Sequence, residues 1–248
     1  MMNIKEISDR VLFALSVPKC VACREPLDYG QNAFCLKCSS EFEDFKTRNC
    51  SRCAKKLSAC SCSNSYLESH FVHRVIKCFR YLIREETSAA NALIFSLKRD
   101  NRSDVLERCK VEMVEAIRNS IEMPENYIFT NIPRRRAAII EYGIDHSALL
   151  AKAVAQELGA EYISVLRSKS KRAQKSLERA ERLKNAEFDL VKEIDLSGKS
   201  VIIVDDIITT GASMGTAAAI LRSIGAKNIV AATLAIAYKD VYEFSSNY

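Results

Sequence analysis

Two carboxylates in succession, Asp205 and Asp206, close the β-branched run Val201-Ile202-Ile203-Val204, and Thr209, Thr210, Gly211, Ala212 and Ser213 follow within a few positions. Ionised carboxylates accept hydrogen bonds and donate none, so an adjacent pair suits vicinal sugar hydroxyls or a hydrated divalent cation. The hydroxyls of Thr209, Thr210 and Ser213 can donate, and Gly211 lets the chain turn its amides inward. From Ala212 onward the pattern ASMGTAAAILRSI reads as a helix. Unpaired amides and the dipole at its N-terminus favour a phosphate. Carboxylates for hydroxyls beside amides for phosphate describe a cradle for a ribose 5-phosphate.

A second chemistry is carried by thiols. Eight of the ten cysteines fall in pairs: Cys20 with Cys23, Cys35 with Cys38, Cys50 with Cys53, and Cys60 with Cys62. A tight turn between two thiolates lets both reach one tetrahedral zinc ion, and two such turns complete a closed structural site. Eight thiolates imply two zinc ions. Sequential use places Cys20, Cys23, Cys35 and Cys38 on the first and Cys50, Cys53, Cys60 and Cys62 on the second. An interleaved pairing, or an iron–sulfur cluster on either quartet, satisfies the same count. The segment has little apolar content of its own, so metal binding is expected to supply much of its folding free energy. Lys19, Arg24, Lys37, Lys46, Arg48, Arg52, Lys55 and Lys56 surround these turns. They read as a nucleic-acid-binding face or as a solvated ribbon surface. Cys78 and Cys109 have no partner at ligand spacing and read as small buried apolar residues.

The elements that must position these groups alternate. Strands are expected over residues 70–82, 127–132, 162–166 and 228–234 as well as at 201–204, and helices over 87–98, 103–121, 145–158 and 212–224. Strands alternating with helices argue for an α/β fold with a parallel sheet and crossover helices. The run at 201–204 suits a strand buried on both faces, and ligands of such folds bind at the carboxyl edge of the sheet. Two basic segments fall at that edge. Pro133-Arg134-Arg135-Arg136 offers forked donors for a pyrophosphate. Residues 167–185, which include Lys169, are polar and basic and read as a lid over the reacting centre.

At 248 residues with a net charge of +6, the chain accommodates one α/β domain plus a smaller unit and is compatible with anionic ligands. Its apolar start is too short for a signal sequence, and the acids Glu6 and Asp9 stand where basic residues belong. No stretch is long and apolar enough to span a bilayer. A cytoplasmic protein without membrane insertion is expected. Ile4, Ile7, Val11, Leu12 and Leu15 fit one face of a short N-terminal helix.

The run VIIVDDIITTGAS resembles the PRPP-binding signature of type I phosphoribosyltransferases. Thiol pairs in front, IPRRR and YG in the middle, RSKSKRAQKSLERAERLKN next and VIIVDDIITTGAS last make nearly the whole chain similar to the competence-protein ComF family. Further matches are Tyr81, Lys98, Pro133, Gly143, Gln174, Leu177, Arg182 and Asn185. The resemblance implies an N-terminal helix and double zinc ribbon over residues 1–66 and a phosphoribosyltransferase-like domain over 67–248. By it, Asp205 and Asp206 hold the ribose 2- and 3-hydroxyls, residues 209–213 hold the 5-phosphate, and PRPP arrives with Mg2+. It also implies an association with DNA uptake in natural transformation. One departure stands out. The family's Arg-Gly-Phe-Asn-Gln is here Tyr142-Gly143-Ile144-Asp145-His146, which removes a guanidinium and turns an amide pair into an acid and an imidazole.

Two functions compete. In the first, a nitrogen nucleophile attacks C1 of PRPP and pyrophosphate leaves through an oxocarbenium-like transition state. Asp205, Asp206, Arg134, Arg136 and Lys169 are then the catalytic candidates, and Arg135 joins the PRPP-binding set. No general base or acceptor pocket announces itself. In the second, the ribbons and basic loops bind single-stranded DNA, PRPP is a regulatory ligand, and Phe34, Phe42, Phe45 and Tyr66 stack bases.

Overall fold

The computed structural model describes residues 17–47, 49–50, 52–82, 88–169 and 188–238. The expected N-terminal helix, Arg48, and the basic segment beyond Lys169, with Gln174, Leu177, Arg182 and Asn185, lie outside these residues. Among the described residues the strands are β1 (Arg74–Leu82), β2 (Tyr127–Asn131), β3 (Glu161–Tyr162), β4 (Leu166–Ser168), β5 (Phe188–Leu190), β6 (Ser200–Ile208) and β7 (Asn228–Tyr238). The helices are α1 (Leu36–Thr47), α2 (Ser65–Ser69), α3 (Ala89–Arg99), α4 (Ser103–Arg118), α5 (Arg136–Tyr142), α6 (His146–Glu157) and α7 (Ala212–Ser223).

The run Val201–Val204 is fully buried because β6 is the middle strand of a five-stranded sheet, ordered β1-β7-β6-β2-β3. All its pairings are parallel. Side chains alternate between faces along the strand. Ile202 and Val204 join Leu93, Met113, Leu150 and Val154 under α3, α4 and α6. Val201 and Ile203 join Met214, Ala217 and Leu221 of α7, together with Leu67. Each such fully buried side chain contributes roughly 1.5–3 kcal/mol. Ser88 caps α3 through Asn91 N at 3.2 Å, and Asp145 caps α6 through Ala148 N at 3.1 Å; both orphan amides are thereby satisfied.

Three expectations change. The strand expected from residue 70 starts at Arg74, because Asn64 Oδ1 accepts from Leu67 N at 2.8 Å and starts α2, which His70 ends. The strand expected over 162–166 breaks after Tyr162. Thr130 Oγ1 takes the Val165 amide at 3.4 Å, and Leu166 turns to an antiparallel pairing with β5. Finally, β6 runs past the aspartates to Ile208, paired along β7, whereas β2 ends opposite Val204. Asp205 and Asp206 therefore sit inside their strand yet beyond the end of its neighbour.

The cysteine-rich segment does not fold on thiols alone. Phe34, Phe42 and Phe45 are buried in the same cluster as Phe79 of β1, with the Phe42 and Phe79 rings edge to face at 5.0 Å. Below them, Lys46 meets Glu112 at 2.7 Å and Arg108 meets Glu112 at 2.9 Å and Glu43 at 2.8 Å. The three phenylalanines are thus core residues and not a platform for bases, and Lys46 is neutralised by α4. The apolar surface that the ribbon lacks is borrowed from the sheet.

Candidate functional site

The rim of β6 carries an asymmetric carboxylate pair. Asp206, 6% exposed, pairs with Lys98 Nζ at the end of α3, 3.2 Å away. Asp205 Oδ1 accepts from the Asp206 amide at 2.9 Å and from Ser147 Oγ, in the first turn of α6, at 3.4 Å. Burial, followed by the charge of Asp206, pushes the Asp205 carboxyl well above its usual range, while Lys98 and Ser147 oppose. One carboxylate has a fixed countercharge and the other is poised to take a proton or a cation.

After Ile208 the chain turns through exposed Thr209 and Thr210 into Gly211, whose φ of +85° is left-handed. Gly211 has no side chain to cap α7, although Thr210 Oγ1 accepts from the Ala212 amide at 3.3 Å. The helix start remains open toward an anion, with Ser213 exposed beside it. Beneath the turn lies α2. A Cβ on Gly211 would meet Leu67 Cγ at 2.9 Å, and one on Gly215 would meet Tyr66 Cε1 at 2.9 Å and His70 Cγ at 3.1 Å. His70 Nδ1 bonds Tyr66 O at 2.8 Å and is not among the clustered metal-ligand candidates.

Pro133 to Arg136 leave β2 at the same sheet edge, one strand away. Arg134 is half-buried and fixed on three sides: its amide donates to Asp145 Oδ2 at 3.1 Å, its Nη1 meets His146 Nδ1 at 2.9 Å, and its guanidinium lies 5.5 Å from the centre of the Tyr142 ring. His146 Nε2 in turn meets Asn101 Oδ1 at 2.7 Å, and Asn101 Nδ2 donates to Tyr142 O at 3.2 Å. Three residues of the departed motif thus hold one arginine. Arg135 and Arg136 are exposed, and Arg136 begins α5, a helix with no buried residue that the sequence pattern did not announce. Lys169 follows β4 and pairs with Asp189 at 3.0 Å, in the small two-stranded sheet.

The thiols gather as two quartets, Cys20, Cys23, Cys35 and Cys38, and Cys50, Cys53, Cys60 and Cys62, with the four sulfurs of each within 4.8 Å of one another. The Cys23 and Cys35 sulfurs stand 3.7 Å apart, close to the roughly 3.8 Å edge of a tetrahedron with 2.3 Å metal–sulfur bonds. Each quartet fits one metal ion. Burial opposes ionisation of Cys20, but the amides of Cys35, Cys23 and Ala22 outweigh it and bring the thiol to about 7. Cys50 falls to about 6 because the Arg52 and Cys53 amides overcome its burial, whereas burial raises Cys62 to about 12. Cys78 and Cys109 are buried in the main core and belong to neither quartet. No helix among the described residues is long and apolar enough to cross a membrane.

Lys98, Ser147, Asn101, His146 and Leu67 complete the site, and none was assigned a role there from sequence. Asp145 was the available signal, since an N-cap acid in the turn after a strand places the first turn of its helix at the ligand edge.

The phosphoribosyl transferase domain model matches residues 143–246, a range that takes in Asp205, Asp206 and the 209–213 turn but begins after Arg134–Arg136. The chain is 25% identical over 202 residues to competence protein ComFC of Streptococcus pneumoniae, covering 80% of this chain and 85% of that one. It is 26% identical over 225 residues to DNA utilization protein YhgH of Shigella flexneri, covering 87% and 96%. Among solved structures, a purine phosphoribosyltransferase from Pyrococcus horikoshii matches with a TM-score of 0.36 and 22% identity over 53% of this chain and 73% of that one.

Proposed function

We propose that this chain, similar over most of its length to a competence protein and a DNA utilization protein and matched by the phosphoribosyl transferase domain model, is a ComF-family protein that binds Mg2+-PRPP and transfers the phosphoribosyl group to an acceptor while handling DNA taken up in competence. The names of its relatives, a competence protein and a DNA utilization protein, support the setting. One observation carries the ligand: two adjacent carboxylates project past the end of β2, next to an open helix start that follows a left-handed glycine. Asp205 and Asp206 take the ribose hydroxyls, and Thr209, Thr210, Gly211, Ala212 and Ser213 take the 5-phosphate. Arg134, held rigid, meets the pyrophosphate; Arg135, Arg136 and Lys169 close toward it from exposed positions.

When bound, Mg2+ offsets the pyrophosphate charge and is held mainly by ligand oxygens. In the transfer, the bond from C1 to the pyrophosphate oxygen breaks as a nitrogen nucleophile bonds to C1, and the leaving charge passes toward Arg134. The chain's contribution is orientation and charge stabilisation. Lys98 pairs with Asp206 and fixes its position beside the ribose. Two structural Zn2+ ions on the quartets suit the all-thiolate donor sets with no open position. Residues 1–66 form the ribbon unit and 67–248 the transferase-like unit, and the protein works in the cytoplasm.

Calorimetry tests the assignment. PRPP with Mg2+ binds the wild type, and Asp205→Asn with Asp206→Asn abolishes binding while leaving the fold intact by circular dichroism; unchanged affinity sinks the site. The exposed guanidiniums of Arg135 and Arg136 favour a second reading, a non-catalytic single-stranded-DNA-binding factor regulated by PRPP. Labelled PRPP with a panel of bases, amines and oligonucleotides separates the two. Acceptor-dependent pyrophosphate release supports transfer, and its absence together with steeply salt-sensitive oligonucleotide binding supports the second reading.

A further inference from the structure

We propose that the second thiolate quartet, and not the first, sets the shape of the phosphate loop, acting through Leu67 as a positioning residue; this rests on reading residues 209–213 as the 5-phosphate cradle. The last thiol of that quartet, Cys62, is followed by the segment that becomes α2. Ser63 Oγ donates to Val72 O at 2.6 Å, Arg52 Nη1 donates to Ser63 O at 2.6 Å, and Asn64 starts the helix. The Val72 amide returns to Leu67 O at 2.9 Å. Leu67, 1% exposed, is thereby pressed against Gly211.

The quartet is also tied to β1. Val75 N donates to Ser61 O at 3.1 Å, and Lys77 Nζ donates to Cys62 O at 2.7 Å. Lys77 is 3% exposed, and a divalent ion in four thiolates leaves a net negative centre for its ammonium to offset. Between the quartet and the sheet lies a cavity of about 150 Å3 whose lining includes Cys50, Cys62, Leu67, Val75 and Lys77. That space lets Leu67 withdraw from Gly211 once the quartet loses its ion, and the left-handed turn then loses its floor.

The first quartet makes its attachments elsewhere. Arg102 Nη1 donates to Lys19 O at 2.7 Å, and the Ala33 amide donates to Asp104 Oδ2 at 3.0 Å. Cys20 and Cys38 belong to the core under α3, α4 and α6, whereas Leu67 belongs to the α7 side. The two centres therefore have different work: one fastens the ribbon to the start of α4, and the other, tied to β1, supports the anion loop.

The test compares Cys53→Ser with Cys23→Ser, counting metal by mass spectrometry. Binding of ribose 5-phosphate and of pyrophosphate is measured by calorimetry, and amide exchange is followed at residues 209–216. Each variant loses one metal ion per chain. Cys53→Ser weakens ribose 5-phosphate binding about tenfold, the worth of one charge-assisted hydrogen bond, speeds exchange at 209–216, and leaves pyrophosphate binding unchanged. Cys23→Ser leaves the 209–216 exchange as in wild type. Leu67→Ala reproduces the Cys53→Ser pattern with both metal ions retained, and Leu67→Met restores it toward wild type; this pair decides the matter if Cys53→Ser does not fold. Equal exchange in the two cysteine variants, or an unaltered loop in Leu67→Ala, overturns the proposal. A wild type that does not bind ribose 5-phosphate overturns the cradle reading instead, and the ligand-free exchange comparison still judges the coupling.

Discussion

His146 is the residue whose replacement tests the pyrophosphate side most sharply. A guanidinium only donates, so at 2.9 Å from Arg134 Nη1 the ring must accept through Nδ1 and carry its proton on Nε2, toward Asn101 Oδ1. Burial, then the charge of Arg134, holds the imidazole below its ordinary 6.5; Lys98 acts in the same sense, while Asp145 and Asp206 oppose. Protonation puts an N–H on Nδ1 against the guanidinium, and Arg134 loses its acceptor. A freed arginine must be immobilised again on binding, at a cost of about 1–2 kcal/mol, so PRPP affinity falls about 5–30-fold as pH drops. The folded ring resists the proton that the unfolded one takes at about 6.5. Between the lowered folded value and 6.5 the unfolded state holds more protons, and stability is lost as pH falls through that window. His146→Gln keeps an acceptor for Arg134 and a donor for Asn101 without titrating. Calorimetry from about pH 5 to 8 therefore finds a smaller acid loss in His146→Gln than in wild type, and weak binding at every pH in His146→Ala. Parallel curves for wild type and His146→Gln, or wild-type affinity in His146→Ala, refute the reasoning.

Gly211→Ala forces a Cβ onto a backbone at φ +85° and to within 2.9 Å of Leu67 Cγ. It lowers stability by about 1–3 kcal/mol in thermal unfolding and weakens ribose 5-phosphate binding. Lys98→Met removes the cation that lowers the Asp205 carboxyl and pairs with Asp206; carboxyl titration by NMR then finds Asp205 raised further, and PRPP affinity is lost from a higher pH downward. Lys46→Met leaves Glu112, 4% exposed, with Arg108 as its remaining cation, and costs about 1–3 kcal/mol in urea unfolding. An unchanged midpoint would show that this pair adds nothing to the ribbon–helix contact.

The strand, the carboxylates and the helix start were legible because all three lie in one unbroken run, where local preference and chemistry agree. Thiol spacing marked both quartets for the same reason. Contacts between distant segments were not legible: Leu67 under Gly211, Lys98 on Asp206, and Asn101 behind His146 are joined only by the way crossovers stack on the sheet. The departed motif illustrates the difference. From sequence, Tyr142, Asp145 and His146 are departures that remove a guanidinium and an amide pair; in the fold they are the ring, the cap and the acceptor that fix Arg134. Phe34, Phe42 and Phe45 misled in the opposite direction. Basic neighbours made them read as base-stacking residues, while their actual partner, Phe79, stands in another unit of the chain.

The pairing of β1 with β7 also dictates an order of events at the ribosome. The first strand of the sheet rests against the last, Arg74 opposite Val230 and Leu82 opposite Tyr238. Synthesis from the N-terminus thus exposes both thiol quartets long before the strand that covers β1 exists. Each quartet can capture its ion at once, which gives the nascent chain two small folded anchors. The sheet must wait for its final residues, and during that interval the edge of β1 lacks its cover. A chain halted before residue 228 would carry its metal knuckles intact and still present a bare strand edge to its neighbours.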